Sequence, residues 1–306
     1  MDSPPHSPDP EQSTSRKTET DAEKPFDASA KADVILRSSD SVDFFALKAV
    51  LSVASPVFDG MFSLGQPEQG GGGGEEEEDN DTKNGLPIVR LEEDSLTLSN
   101  LLQLIYPYRR CELQPNTVEV YGKVGKAAHK YAMDGAMERW KEVVAASQAV
   151  TKEPLRIFAI ATHFGLADLM RKAALNTLAV RLSDILEGED EELKWVSGAD
   201  LRALLRWRFD CQGTVQQLLD RWQEDQSSSS AIMAEHLEDR LKETGCPRAN
   251  FLMSDSVVAN TIRDSVTEWT VQEYRDVMRD RTSMRTQMAE AVSKVCLHGR
   301  LAHCKC

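Results

Sequence analysis

ADVILRSSDSVDFFALKAVLSVASPVFDGMF, residues 32–62, is the stretch whose reading decides the fold. Val34, Ile35 and Leu36 form a short, β-branched apolar run that predicts a strand. The polar corner SSDS, Ser38 to Ser41, leads into a second short strand through Val42, Phe44 and Phe45. The period then changes. Leu47, Val50, Leu51 and Ala54 fall at i, i+3, i+4 and i+7, which is one face of a helix, with Leu51 directed inward. Ser55-Pro56 ends that helix and begins another, the serine as N-cap and the proline at the first helical position. Val57, Phe58, Met61 and Phe62 give the second helix its apolar face. Two strands feeding a tight helix pair make a compact α+β nucleus.

The pattern resembles the BTB/POZ domain. The matching residues are Asp33, Val34 and Leu36, then Phe45, Lys48, Ala49, Val50, Leu51, Ser52, Ser55, Phe58, Met61 and Phe62. Leu47 departs from the pattern, since most members carry a histidine before the lysine. With ASPVFDGMFSL, GLPIV and IYP, the wording is most similar to BTB proteins of fungi. The resemblance implies a small three-stranded sheet with helical hairpins and a non-catalytic role in protein–protein interaction. Asp33 and Lys48 occupy positions that in dimeric members line a shallow charged pocket; a surface ion pair is the expected form here. Members that recruit a cullin scaffold use a hydrophobic-x-Glu motif just after the second helix. Its positions here are Gln66 and Glu68, so the acid is kept and the apolar anchor is lost. The segment before Asp33 has no amphipathic helix of the kind that accompanies strand-swapped dimers.

The composition sets limits. A formal net charge of -14 disfavours nucleic-acid binding, which needs clustered Lys and Arg. Six cysteines without paired spacing through most of the chain predict a reducing compartment, cytoplasm or nucleus, rather than a disulfide framework. No apolar run approaches ~18 residues, and the N-terminus lacks the apolar core of a signal peptide, so neither membrane nor secretion is expected.

Three regions are predicted along the chain. Residues 1–27, rich in Ser, Pro, Asp and Glu, read as a disordered tail, and removal of residues 1–25 is expected to leave thermal stability nearly unchanged. Residues 28–148 read as the BTB/POZ domain, interrupted at 65–85 by a mobile Gly and acidic insertion. LPIVRL resumes as a third strand, and Leu98, Leu101, Leu102 and Ile105 share one face of a helix that Pro107 stops. Residues 149–306 read as an α-helical region. AAHKYAMDGAM (Ala127–Met137) and IATHFGLADLM (Ile160–Met170) align without a gap at an offset of 33 residues, one helical hairpin. Small residues at Ala128 and Ala161 allow close approach, and Tyr131 and Phe164 close each first helix. GEDEE after Leu186, Ser227–Ser230 and Gly245-Cys246-Pro247 read as breaks between helices.

The sequence carries no GxSxG, Walker or dinucleotide loop, and the five glycines lack the Lys-Ser/Thr that phosphate binding needs. His129 and His163 read as structural or surface histidines. The tail residues Cys296, His298, His303, Cys304 and Cys306 are of zinc-ligand type, but Cys304-x-Cys306 is closer than the usual ligand gap. Neither a cofactor nor a metal is assigned. The expected partners are proteins: itself or another BTB protein, or a cullin for which the chain acts as adaptor to a ubiquitin ligase. A dimerising scaffold or nuclear co-regulator without direct DNA contact is the alternative.

Overall fold

The computed structural model describes residues 19–64, 82–107, 113–188, 190–224, 228–245, 247 and 271–295. The chain divides into two compact units, 1–143 and 144–306.

The first unit is built on a five-stranded sheet of order β1-β3-β2-β5-β4. The strands are β1 (Thr20–Asp21), β2 (Val34–Arg37), β3 (Val42–Ala46), β4 (Thr82–Lys83) and β5 (Leu86–Arg90). β2 and β3 form the antiparallel hairpin that the SSDS corner predicts, with Ile35 opposite Phe45 and Leu36 opposite Phe44. Ser38 closes the corner, its hydroxyl accepting the Val42 N–H, while Ser41 takes a positive φ of 67°. β5 then runs parallel to β2, which is why β2 is buried along its whole length. Helices α1 (Lys48–Ala54) and α2 (Pro56–Leu64) follow β3. α3 (Ser95–Ile105), α4 (Val118–Lys130) and α5 (Asp134–Ala146) follow β5. Asp94 caps α3 through the Thr97 N–H at 2.7 Å, and Thr117 caps α4.

Two predicted boundaries are corrected. The tail was expected to run to residue 27, yet residues 19–26 are part of the fold. β1 pairs parallel to β3, and Phe26 is 2% exposed with its ring edge-on to Tyr106 at 5.1 Å. Arg37, itself buried, binds Glu19 and Asp43 through its guanidinium, and Lys83 binds both Asp21 and Asp43. A lone Phe in a polar segment leaves no periodic signal, but burying it is worth ~1.5–3 kcal/mol. The insertion was expected to extend to Gly85; instead β4 and β5 form a hairpin through Asn84 and Gly85, both at positive φ (55° and 77°). Asn-Gly is the preferred pair for a two-residue type I′ turn, and that signal was present in the sequence. Residues 65–81 lie outside the described ones.

The second unit contains α6 (Ala149–Lys152), α7 (Pro154–His163), α8 (Ala167–Thr177), α9 (Leu182–Glu187), a 3-10 turn (Glu191–Trp195), α10 (Gly198–Glu224), α11 (Ser228–Thr244) and α12 (Val271–Lys294). Ile157, Phe158 and Ala161 of α7 are buried, as are Ala173 and Ala174 of α8. α10 runs unbroken for 27 residues. It buries Leu204, Trp207, Cys211, Val215, Leu218 and Trp222, one stripe at helical spacing. Trp207 Nε1 donates to the Val295 carbonyl at 3.0 Å, and Trp222 Nε1 to Gln287, tying α10 to α12 and the residue after it. Arg208 caps α8 from across the unit, donating to the carbonyls of Thr177 and Val180. Two of the expected breaks are corrected as well. Ser228–Ser230 open α11 rather than separate helices. The acidic run past Leu186 is not wholly a solvated loop, because Glu192 is 2% exposed and takes two hydrogen bonds from Arg156.

Candidate functional site

Asp33 and Lys48 come together, but not as the expected ion pair. Asp33 Oδ1 accepts the backbone N–H of Lys48 at 2.6 Å and so caps α1 from just before β2. The N-cap residue Leu47 supplies no side-chain hydrogen bond, which explains why the chain needs this carboxylate. The Lys48 ammonium instead sits 5.6 Å from the centre of the Phe62 ring. The pair is a helix cap and a cation–π contact, and it locks α1 against α2.

Ser55 does what its position predicts and more. Its hydroxyl accepts the Phe58 N–H at 3.1 Å, capping α2, and donates to the Tyr131 carbonyl at 2.5 Å. Ser55 is wholly buried, so both bonds form away from water, where leaving them unmade is costly. The Tyr131 ring stacks on Phe58 at 4.8 Å, and its hydroxyl donates to Glu93. Burial first, then the Glu93 carboxylate, push the phenol well above its ordinary value. Tyr106, at the end of α3, accepts the Leu47 N–H at 2.9 Å on its hydroxyl. A few polar contacts therefore pin the α1–α2 pair to the end of α3 and to the α4–α5 turn.

This frame holds open an apolar groove of about 480 Å³. One wall is the outer face of α1, with Ala49, Val50, Val53 and Ala54; the other is the end of α3, with Leu104 and Ile105. Arg139 of α5 supplies a charged rim and donates to the Leu104 carbonyl at 2.6 Å. Val53 is 91% exposed in this groove, and on α2 Leu64 is 89% exposed. The face that predicted burial for Leu47, Val50, Leu51 and Ala54 is thus divided: Leu51 alone is fully buried, and Val50 and Ala54 turn partly to the groove. Periodicity marks a face as apolar without saying whether the same chain covers it.

A second polar cluster lies in the sheet. Asp43 is buried between Arg37, at 2.6 Å, and Lys83, at 2.6 Å. Burial opposes its charge, but hydrogen bonds and charge from Arg37 and Lys83 outweigh that and hold the carboxyl below the usual range. Arg37 and Asp43 face each other across the β2–β3 hairpin, but Lys83 arrives from 40 residues away, a juxtaposition that sequence spacing does not show. Its arrangement is a fully paired structural ion cluster.

Gln66 and Glu68 lie outside the described residues, as do Cys296, His298, His303, Cys304 and Cys306. His129 is exposed in the last turn of α4; His163 is exposed at the end of α7, its ring 5.2 Å from that of Trp195. Among the described residues no group of three or more His, Cys, Asp or Glu is placed to hold a metal, and no helix is long and apolar enough to cross a membrane.

Comparison with curated proteins finds no match. Comparison with family models matches residues 23–148 to the BTB/POZ domain. That span begins near the β1–Phe26 segment and ends just past α5. In fold and in family match, residues 23–148 are a BTB/POZ domain, an α+β unit with a small mixed sheet, and the described residues after it form an α-helical extension.

Proposed function

We propose that this chain is a non-catalytic protein–protein interaction module whose BTB domain receives a protein segment in the groove between α1, α3 and α5. The supporting observation is Val53, 91% exposed on a rigid, capped helix among aliphatic neighbours. An aliphatic side chain held so far into water on a folded scaffold gains by being covered, and covering it is worth ~25 cal/mol per Å² of apolar surface. In the adaptor reading, the domain presents a substrate to a cullin ubiquitin ligase, with Glu68 as the retained acid of the recruitment motif and Gln66 in place of its apolar anchor. In the scaffold reading, a second copy or another BTB protein covers the groove, and the chain acts in cytoplasm or nucleus without touching DNA. The net charge of -14 supports protein over nucleic-acid partners in both.

One experiment separates them. Sedimentation velocity of the full chain, alone and with the N-terminal domain of a cullin, is compared for wild type, Val53→Asp and Glu68→Lys. Val53→Asp leaves the fold intact, because the side chain is exposed. A dimer that Val53→Asp splits supports the scaffold; a cullin complex that Glu68→Lys abolishes supports the adaptor. A monomer that binds no cullin at micromolar concentration overturns both.

A further inference from the structure

The helical extension carries a second exposed anchor that the BTB domain does not explain. α10 buries one stripe, and the stripe on its opposite side runs through Arg202, Arg206, Phe209 and Gly213, all exposed. Phe209 is 69% exposed in the middle of a 27-residue helix, an aromatic where a solvated face calls for a polar residue. A helical side chain covers the turn before it, so Phe209 lies over Leu205, which is half-buried, and Arg206. On its other flank Gly213 has no side chain, and nothing stands within 4 Å of where a Cβ would be. Room beside a rigid aromatic, with guanidinium groups alongside, is the form of an interface anchor: Phe, Tyr, Trp and Arg are enriched at such centres.

From this face we infer a docking site for an acidic amphipathic peptide segment of a partner protein, its apolar side covering Phe209 and its carboxylates meeting Arg202 and Arg206. Charge decides the occupant. Arg202 and Arg206 are exposed in successive turns, whereas Asp210 beside the ring is half-buried. The exposed charge of this face is therefore positive on a chain of net charge -14, and an acidic segment is favoured over a basic one. A second copy of the same face would bring arginine against arginine. The chain's own Glu75–Glu78 run has the charge but no apolar residue to cover the ring.

The test is fluorescence polarisation of the full chain against a panel of labelled helical peptides, Glu/Asp on one face and Leu/Phe on the other, with Lys-faced counterparts. The expected result is binding of acidic members only, weakened by salt, and reduced about tenfold or more in Phe209→Ala and in Arg206→Glu. Circular dichroism melting checks that both variants stay folded; should Phe209→Ala melt early, the Arg202→Glu/Arg206→Glu pair carries the decision. The inference is overturned if no acidic member binds, if Lys-faced peptides bind equally, or if a folded Phe209→Ala chain binds as well as wild type. Self-association that Phe209→Ala abolishes would also overturn it, in favour of a second copy.

Discussion

The turn between α4 and α5 and the turn between α7 and α8 share one backbone design and live in different surroundings. In the first, Tyr131 N–H bonds to the Ala127 carbonyl, Ala132 to His129 and Met133 to Ala128. In the second, Phe164 bonds to Ile160, Gly165 to Thr162 and Leu166 to Ala161, the same three bonds at the same offset of 33 residues. Each turn ends its first helix with a residue at positive φ, Ala132 at 50° and Gly165 at 66°, and with the six-to-one bond of a Schellman motif. The aromatic that closes the helix then meets opposite fates. Tyr131 is buried, stacked on Phe58, and its carbonyl is held by Ser55. Phe164 is only half-buried, edge-on to its neighbour His163. A repeated backbone device does not carry a repeated role; the partners it is packed against decide whether it is a keystone or a simple reversal.

The largest effect that tests this contrast is loss of the closing ring. Tyr131→Ala is expected to cost ~3–5 kcal/mol and Phe164→Ala markedly less, because only the first leaves a cavity in a filled core. Denaturant midpoints of the two variants check this, and equal losses would break the comparison. Next comes the hydroxyl that marks the first turn as a keystone. Ser55→Ala strips the cap of α2 and leaves the buried Tyr131 carbonyl without its donor, a loss of ~1–3 kcal/mol in the same measurement. Ser55→Thr, which keeps the hydroxyl, is expected to restore part of it.

The positive-φ residues sharpen the comparison further. Gly165→Ala meets no steric obstacle but places a Cβ in the left-handed region, costing ~1 kcal/mol. Ala132→Gly relieves the same strain and gains less than that, since glycine's greater freedom in the unfolded chain offsets the relief. Thermal melting of both single variants checks the opposite signs. The smallest effect is one of acid response. Burial works against Asp94, at the foot of α3, but its hydrogen bonds with Thr97 and Lys123 hold its carboxyl below the usual range. Its contribution is present above the unfolded value of about 4 and is lost as pH falls through the lower folded value. Asp190, between α9 and the 3-10 turn, is raised, chiefly by burial, with Arg156 opposing. Its charged form is disfavoured in the fold, so its contribution turns favourable as pH falls through the raised value. Stability against pH for Asp94→Asn and Asp190→Asn, each compared with wild type below neutrality, should deviate in opposite directions.

What the sequence by itself determined is what local rules carry. The β2–β3 hairpin, the Ser55-Pro56 junction and the 33-residue hairpin spacing are all written in periods, caps and turn residues. The BTB/POZ fold was legible over 28–148, through the resemblance that residues 32–62 carry, while the family match begins at residue 23. Only the tertiary structure decided that Phe26 is core rather than tail, that Asp33 caps a backbone N–H instead of pairing with an ammonium, and that Glu192 is buried against Arg156. It also decided which apolar faces stay in water: Val53 and Phe209 carry the same hydrophobic weight in sequence as Leu51 and Trp207, which are buried. The physical reason is common to all of these. Periodicity and propensity act within a turn or a strand pair, whereas burial, ion pairing and exposure depend on residues tens of positions away, which one-dimensional spacing does not encode.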